Sequence, residues 1–367
     1  MKHEALRIER GLWPPTPGLL ALLVCCVIVG VVYFTHGRDP LAFALIGARF
    51  ASGDPAGVKG YDGQFAYYIA ADPVGALARL DNPAYRYQRI LYPMLARLLS
   101  LGHPAIVPWA LVLINVISLS LSAELLGRML GRRNLSPYLA LLLPLWLGQV
   151  FALRADLNEP LCYLLVVVTL WLYERERHTL SAGALAASAL AKEVGLLFLP
   201  AIVLVMALQK RWRLAFRYSL IVCTPYVLLQ VLLRGWIGRS GLAGAGGRFE
   251  RIPFLGFTFS EPLAARFFLV LLVAVPVSGL LALAVRQILQ TPRSVYGWAL
   301  LTNCLFVVFL PRRTTIDVLA VFRVTTGVIV AALPFCAAHG WRRALWMLHA
   351  VWLPPSILAL MIPGFLA

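Results

Sequence analysis

The sequence has little charge, and acidic residues are especially scarce. Only 13% of the 367 residues are charged, and 16 Asp and Glu stand against 33 Lys and Arg. Soluble domains carry about 25% charged residues, so this shortage excludes an ordinary soluble globular protein. Hydrophobic residues take the place of the missing charges. They make up 60% of the chain and give a mean hydropathy of +0.80.

Several motifs of soluble enzymes and metal sites are absent. There is no GxxxxGK[ST] phosphate loop, no HExxH, no GxSxG and no CxxC pair. A soluble nucleotide is therefore not expected as a direct donor, and neither a zinc site nor a histidine metal site is expected. All cysteines lie within apolar runs, which argues against a disulfide framework. These cysteines are Cys25, Cys26, Cys162, Cys223, Cys304 and Cys336.

The abundant feature is the apolar run of bilayer length. About 20 apolar residues span a membrane as a helix, and runs near this length recur along the chain. They predict an all-α polytopic membrane protein with about eleven transmembrane helices. The predicted spans are 18–35, 105–130, 137–153, 159–173, 180–191, 194–209, 214–234, 262–286, 295–311, 320–338 and 344–364. Residues 180–209 fit either two short helices or one, because Lys192 and Glu193 interrupt them.

Basic residues between the spans predict the orientation. The first apolar run is long and no small-residue cleavage site follows it, so it is read as a retained span and not as a signal peptide. If the N-terminus is cytoplasmic, five basic connections fall on the inner side, as the bias of Lys and Arg towards cytoplasmic loops requires. They carry Arg132 and Arg133, Arg175 and Arg177, Lys210, Arg211 and Arg213, Arg286 and Arg293, and Arg342 and Arg343.

The unusual polar segments then all lie on the outer side. Segment 36–104 is too polar for two spans and too apolar for a free linker, and Phe65, Tyr68 and Ile69 recur in it at helical spacing. This pattern favours amphipathic helices at the membrane interface. A second outer loop, 235–260, is rich in glycine. No composition shift marks a domain boundary, so residues 1–367 are predicted to form one integral-membrane domain.

Asp62 is the first candidate for chemistry. It precedes Gly63 in YDGQFAYYIAADP. The glycine permits close backbone approach, and a carboxylate at the membrane surface can take a proton from an acceptor hydroxyl. The alternative is a local role, because an Asp before a helix commonly caps it.

Two further polar segments interrupt the apolar pattern on the same side. RADLNEP contains Asp156, Asn158 and Glu159, which either support chemistry or favour the start of the next helix. Lys192 and Glu193 stand at outer-membrane depth, where ionisable residues are costly and usually functional. An internal ion pair that holds a bend is the alternative for them.

Arginines recur on the predicted outer side. A guanidinium group can bind two phosphate oxygens at once, which suits a phospholipid-linked substrate. Contact with lipid headgroups or neutralisation by nearby acidic residues is the alternative for each arginine. The outer arginines considered are Arg86 and Arg89 in AYRYQRILYP, and Arg154, Arg239, Arg248, Arg251, Arg312, Arg313 and Arg323.

Four segments on this face resemble the GT-C superfamily of integral-membrane glycosyltransferases. They are YDGQFAYYIAADP, PAYRYQRILYPMLARLLSLG, DLNEPL and LAKEVGLLFLPA. The chain looks most like bacterial membrane proteins linked to cell-surface glycopolymer formation, and residues 15–210 carry most of the likeness. The resemblance implies a GT-C-like fold in the bacterial plasma membrane. It further implies inverting transfer of a sugar from a polyprenyl-phosphate carrier to a glycan or lipid acceptor at the outer face.

The resemblance also implies roles for individual residues. An acidic residue of the first outer loop acts as base in the family, which corresponds to Asp62 here. Many members have an acidic pair in this loop, whereas here Gly63 follows Asp62. A supporting role for Asp156 or Glu159, or for a divalent metal, therefore stays open. No cofactor is implied firmly. Cations at the departing phosphate stabilise the transition state. The predicted phosphate-binding residues are Arg86, Arg89, Arg312, Arg313 and Arg323, and the predicted supporting or acceptor-binding residues are Tyr61, Gln64, Asp156, Asn158, Glu159, Lys192 and Glu193.

Two other classes of function stay open. A transporter or flippase of a lipid-linked or anionic solute also places polar residues at helix breaks, but it is expected to show two related halves, and no internal repeat is found. A non-catalytic partner in a polymer-synthesis complex is the third class. Membrane lipids are expected partners under every hypothesis. Nucleic acid is not, because the basic residues are spread among membrane turns.

Overall fold

The protein is described from a computed structural model, in which residues 15–244 and 247–362 are placed well enough to describe. Within these residues all regular secondary structure is helical. The helices of the first half are α1 (Pro17–Thr35), α2 (Ala48–Ala51), α3 (Gly63–Ala71), α4 (Pro83–Tyr87), α5 (Leu91–Leu99), α6 (Val107–Gly131), α7 (Leu142–Leu145), α8 (Leu147–Arg154) and α9 (Glu159–Tyr173).

The second half continues the helical pattern. Its helices are α10 (His178–Ala191), α11 (Leu199–Leu208), α12 (Trp212–Ile237), α13 (Leu263–Leu269), α14 (Val275–Gln290), α15 (Val295–Val308), α16 (Arg312–Thr315), α17 (Val318–Ala338) and α18 (Arg342–Met361). A π-helical turn, Val270–Ala274, joins α13 and α14 into one long helix. Short 3-10 turns connect several of the other elements.

Six helices of the described chain are long and apolar enough to cross a membrane. They are α1, α6, α12, the joined helix Leu263–Gln290, α17 and α18. The pair Pro137–Leu145 and Leu147–Arg154 makes a seventh candidate if it is one span bent by 54°. The prediction of a polytopic, all-helical membrane protein is therefore confirmed at this level.

The predicted number of eleven spans is not confirmed. Helices α9, α10, α11 and α15 lie where spans were predicted, but they contain only 15, 14, 10 and 14 residues. At 1.5 Å per residue the longest of them extends about 23 Å, which is less than the ~30 Å hydrocarbon core. The break at Lys192 is real, because α10 ends at Ala191 and a 3-10 turn, Glu193–Phe198, precedes α11.

The packing separates lipid-facing helices from a polar-lined interior. Helices α6 and α17 are the most buried of the candidate spans, whereas α1 and α12 expose large apolar side chains such as Val27, Phe216 and Leu232. An exposed apolar surface of this extent is typical of contact with lipid. A polar site is therefore expected between the more buried helices and not on this exposed apolar surface.

The segment 36–104 folds into the short helices α2 to α5, as its amphipathic pattern predicts. In α3, the residues Phe65, Tyr68 and Ile69 are buried together. In α5, the apolar residues Met94 and Leu98 are exposed instead. The glycine-rich loop starts after Ile237, so residues 235–237 of the predicted loop are helical. The N-terminal residues 1–14 and the end of the eleventh predicted span, 363–364, lie outside the described residues.

Candidate functional site

A cavity of about 1170 Å³ brings most of the predicted site residues together. The charged groups in its wall come from segment 36–104, from the break before α11, from the loop before α13, from α16 and from the start of α17. Apolar side chains of the membrane helices complete the wall, among them Leu305 and Phe306 of α15 and Pro200 of α11. The predicted residues in this wall are Tyr61, Asp62, Gln64, Arg86, Arg89, Lys192, Glu193, Arg313 and Arg323.

Asp62 lies between two guanidinium groups. It stands directly before α3, but its side chain makes no capping hydrogen bond. Arg86 donates to Oδ1 at 2.9 Å, and Arg323 approaches Oδ2 at 3.4 Å. About one third of the side chain is exposed, so a ligand in the cavity can reach it. Its carboxylate is thus held by tertiary contacts and does not serve as a helix cap.

The pKa of Asp62 reflects two opposing effects. Burial by itself raises the pKa of this carboxyl, but the positive charges of Arg86 and Arg323 outweigh burial and hold the pKa below its usual value. Asp62 is therefore ionised at neutral pH. Burial is the main cause that raises the pKa of the neighbouring Tyr61, whose hydroxyl donates to Asp317 at 2.6 Å and accepts from Arg323 at 3.0 Å.

Both arginines of the motif AYRYQRILYP, Arg86 and Arg89, are paired with carboxylates. Arg86 donates to both oxygens of Asp81 at 2.8 Å in addition to its contact with Asp62. Arg89 donates to both oxygens of Glu193, at 2.9 and 2.5 Å, and its guanidinium group lies 4.3 Å from the ring centre of Tyr85. Glu193 therefore connects the break before α11 to segment 36–104.

Glu159 neutralises two buried cations at once. Its Oε1 accepts from Lys192 and from Arg323, each at 2.5 Å, and the residue has no exposed surface. Lys192 therefore pairs with α9 rather than with its neighbour Glu193. Close packing of α8 and α17 places Arg323, because a Cβ at Gly148 would lie 2.4 Å from the backbone oxygen of Phe322.

Two cations of the cavity wall differ from this paired network. Among the described residues, neither Lys59 nor Arg313 makes an ion pair or a side-chain hydrogen bond, and both are exposed. Arg312 does not line the cavity, and its guanidinium group instead lies 3.9 Å from the ring centre of Phe259. The adjacent arginines of PRRTTID thus have different environments.

Three predicted residues have contacts that support the structure around the cavity. Gln64 is 1% exposed and uses its amide to hold segment 36–104, donating to the backbone oxygens of Lys59 and Tyr61 at 2.9 Å. Asn158 donates to the backbone oxygen of Ala191 at 2.8 Å. Asp156 lines a second, smaller cavity next to Asp62.

Several residues of the cavity wall carry no sequence signal strong enough for prediction. Lys59 is an isolated lysine in a loop. In the sequence, Asp81 resembles part of the turn before α4, and Asp317 resembles a helix cap. Asp317 does cap α17, because its carboxylate accepts from the backbone of Leu319 at 3.0 Å. Only the partners of these carboxylates, Arg86 and Tyr61, show that they belong to the site.

The close backbone approach predicted for Gly63 is present. A Cβ at this position would lie 2.0 Å from the backbone oxygen of Ala155 and 3.3 Å from that of Ala44. No side chain can move aside to relieve such a contact. The start of α3 is therefore pressed against the loop that follows α8, and this contact sets the position of Asp62.

Replacement of Gly63 by alanine is expected to destabilise the protein by at least about 1–3 kcal/mol, the usual cost of overpacking. The measurement is thermal unfolding of the purified variant in detergent. Gly30→Ala is the matched control, because a Cβ at Gly30 meets nothing within 4 Å and alanine favours a helix. Equal unfolding temperatures for the two variants would show that the backbone contact at Gly63 is unimportant.

Among the described residues no group of three or more His, Cys, Asp or Glu side chains is arranged to hold a metal ion. No protein-family model, no curated protein and no solved structure matches the chain.

Proposed function

We propose that this chain is a GT-C-type glycosyltransferase. It transfers a sugar from a polyprenyl-phosphate carrier to a glycan or lipid acceptor, with inversion at the anomeric carbon. The proposal places the protein in a bacterial plasma membrane, with a cytoplasmic N-terminus and the site at the outer face. The inner bias of the basic connections and the resemblance of four outer segments to the superfamily support this placement.

One observation carries the proposal. A single cavity offers an accessible carboxylate beside guanidinium groups, and its wall also contains apolar side chains of α11 and α15. A polyprenyl-phosphate sugar needs both kinds of surface, because its phosphate is anionic and its chain is apolar. The acceptor hydroxyl needs a base, and Asp62 is an ionised carboxylate that faces the cavity in contact with Arg86 and Arg323.

The proposed reaction is one displacement at the anomeric carbon. Asp62 accepts the proton of the acceptor hydroxyl as the new bond between oxygen and the anomeric carbon forms. The bond between that carbon and the phosphate oxygen breaks, and its electron pair leaves with the phosphate. Cations of the cavity wall stabilise the charge that grows on this oxygen.

Donor binding is expected to increase the basicity of Asp62. In the structure Arg86 and Arg323 contact Asp62 and lower its pKa, which also makes it a weak base. A phosphate group that accepts hydrogen bonds from these arginines would release the carboxylate from them, and its negative charge would raise the pKa of Asp62 further. Asp62 would then act as an effective base only when the donor is bound.

Lys59 and Arg313 are the cations best suited to receive the phosphate first. The four cations Arg86, Arg89, Lys192 and Arg323 already face four carboxylates, those of Asp62, Asp81, Glu159 and Glu193. Phosphate binding to these four cations competes with existing ion pairs, whereas binding to Lys59 or Arg313 does not. We therefore add Lys59 to the proposed phosphate-binding residues and remove Arg312, which does not line the cavity.

Arg313→Gln is expected to raise the KM for the lipid-phosphate donor about tenfold, because one charge-assisted hydrogen bond to phosphate is lost, with a value of about 1.5–3 kcal/mol. The control is Arg312→Gln, which removes the same charge from the neighbouring position outside the cavity wall. Initial rates at varied donor concentration measure the effect. Equal KM values for both variants would remove Arg313 from the donor site.

The proposed function is tested by incubating the purified protein with a panel of polyprenyl-phosphate sugars and candidate acceptors. Mass spectrometry then identifies a product in which the acceptor has gained one sugar. Movement of the lipid-linked sugar across a vesicle membrane without any product would favour the transporter hypothesis. If neither transfer nor movement occurs with any donor, the glycosyltransferase proposal is rejected.

A further inference from the structure

The smaller cavity next to Asp62 has a volume of about 30 Å³. A cavity needs roughly 10–15 Å³ to hold one water molecule, together with two to four polar partners. This cavity meets both conditions, because Asp62, Tyr92, Asp156 and Asn158 contribute to its wall. It therefore has the size and lining of a water site that joins Asp62 to a second carboxyl group.

Asp156 is the unusual member of this wall. It has no exposed surface, and neither carboxyl oxygen has a hydrogen-bond partner among the described residues. Its backbone lies in the left-handed region, with φ of 47°, a conformation that few residues other than glycine, asparagine and aspartate adopt. A buried carboxylate without hydrogen bonds is costly, whereas a protonated carboxyl group is much less so.

The surroundings of Asp156 favour the protonated form. Burial raises its pKa well above the usual value, and the positive charge of Arg154 offsets this only in part. The other titratable or charged groups near it are Tyr92 of α5, on which Asp156 and Glu159 of α9 both act, and, in the wall of the same cavity, Asp62, Arg86 and Arg89. The carboxylate of Asp62 disfavours a further negative charge at Asp156, whereas Arg86 and Arg89 are already paired with Asp62, Asp81 and Glu193.

We propose that Asp156 is a protonated carboxylic acid that positions Asp62 through one bound water molecule. The acid donates a hydrogen bond to the water, and the water donates to the carboxylate of Asp62. No proton is transferred in this arrangement. The inference rests on the proposed function only for its consequence, which is that Asp62 keeps its orientation towards the acceptor when the donor phosphate engages Arg86 and Arg323.

Infrared spectroscopy of the purified protein at neutral pH tests the protonation directly. The wild-type spectrum is expected to contain the carbonyl band of a protonated carboxylic acid, and this band is expected to disappear in Asp156→Asn. In Asp62→Asn the band is expected to remain but to shift, because the water then meets a neutral amide. If Asp156→Asn removes no such band, or if Asp62→Asn leaves it unshifted, the inference is overturned.

A kinetic comparison tests the positioning role. Asp156→Val removes the hydrogen-bond donor and is expected to lower kcat about tenfold with little change in the donor KM, as loss of an orienting partner does. Asp156→Asn keeps a donor and is expected to lose less. Equal kcat values for the two variants would contradict the positioning role. If Asp156→Val fails to fold, the infrared spectra of Asp156→Asn and Asp62→Asn still test the inference.

The two proposals fail in different ways. If the infrared bands are as expected but no donor supports transfer, the glycosyltransferase function is rejected. The protonated Asp156 and its coupling to Asp62 then still hold. Transfer by a protein whose spectrum is unchanged by Asp156→Asn would reject the coupling alone.

Discussion

Asp62→Asn is expected to lower the rate of sugar transfer by about 10²–10⁴-fold, the usual contribution of a general base. Asparagine keeps the shape of the side chain but cannot accept the proton of the acceptor hydroxyl. Arg86 and Arg323 retain their other carboxylate partners, Asp81 and Glu159, so the cavity is expected to stay folded. The measurement is the initial rate with a donor that the wild-type protein uses.

Asp54→Asn is the matched control for this substitution. Asp54 lies in the same segment, 36–104, and does not line the cavity; within the described part of the chain its carboxylate accepts only from the backbone of Ala56, at 2.9 Å. The control is expected to keep the wild-type rate. Undiminished transfer by a folded Asp62→Asn protein would exclude Asp62 as the base, whatever the identity of the acceptor.

Glu159→Gln is expected to cause the largest loss of stability, about 3–5 kcal/mol, because it leaves buried cations without their counter-charge. Lys192 and Arg323 both donate to the same oxygen of Glu159, and the glutamate has no exposed surface. Glutamine preserves the volume, so the loss reports on charge and not on packing. The measurement is the free energy of unfolding in detergent, obtained from denaturant titration.

Two further variants establish the cause of this loss. Glu261→Gln removes a glutamate that pairs with Arg266 at 2.5 Å but is 75% exposed, and exposed ion pairs contribute about 0–1 kcal/mol. Among the described residues Lys192 has no ion pair besides the one with Glu159, whereas Arg323 also contacts Asp62. Adding Lys192→Met to Glu159→Gln therefore removes the uncompensated charge and is expected to restore part of the stability. If Glu159→Gln unfolds like Glu261→Gln, the buried network does not stabilise the fold.

The polar segments show how much of the candidate site could be predicted from the sequence. The interruption at Lys192 and Glu193 is visible as a break between two apolar runs, and the helices end there. Their partners are not visible, because Glu159 and Arg89 lie 33 and 104 residues away in the chain. Local pattern predicts where a helix stops, but not which distant charge it meets.

The neighbours Arg312 and Arg313 illustrate the same limit at short range. Both are arginines of one predicted outer turn, and nothing in their order distinguishes them. The short helix α16 directs one towards Phe259 and the other into the cavity wall. Asp62 and Gly63 were more predictable, because a glycine next to an acidic residue already indicates close packing, although only the fold identifies Ala155 as the contact.

The sequence by itself determined that the chain is an all-helical membrane protein, because transfer of apolar residues into a bilayer depends on the composition of each run. It also determined which segments are polar enough to carry a site. The tertiary structure decided which charges meet, since a buried ion must lie within about 4 Å of its counter-charge to be stable. That distance depends on how α9, α17 and segment 36–104 pack together, which local sequence does not encode.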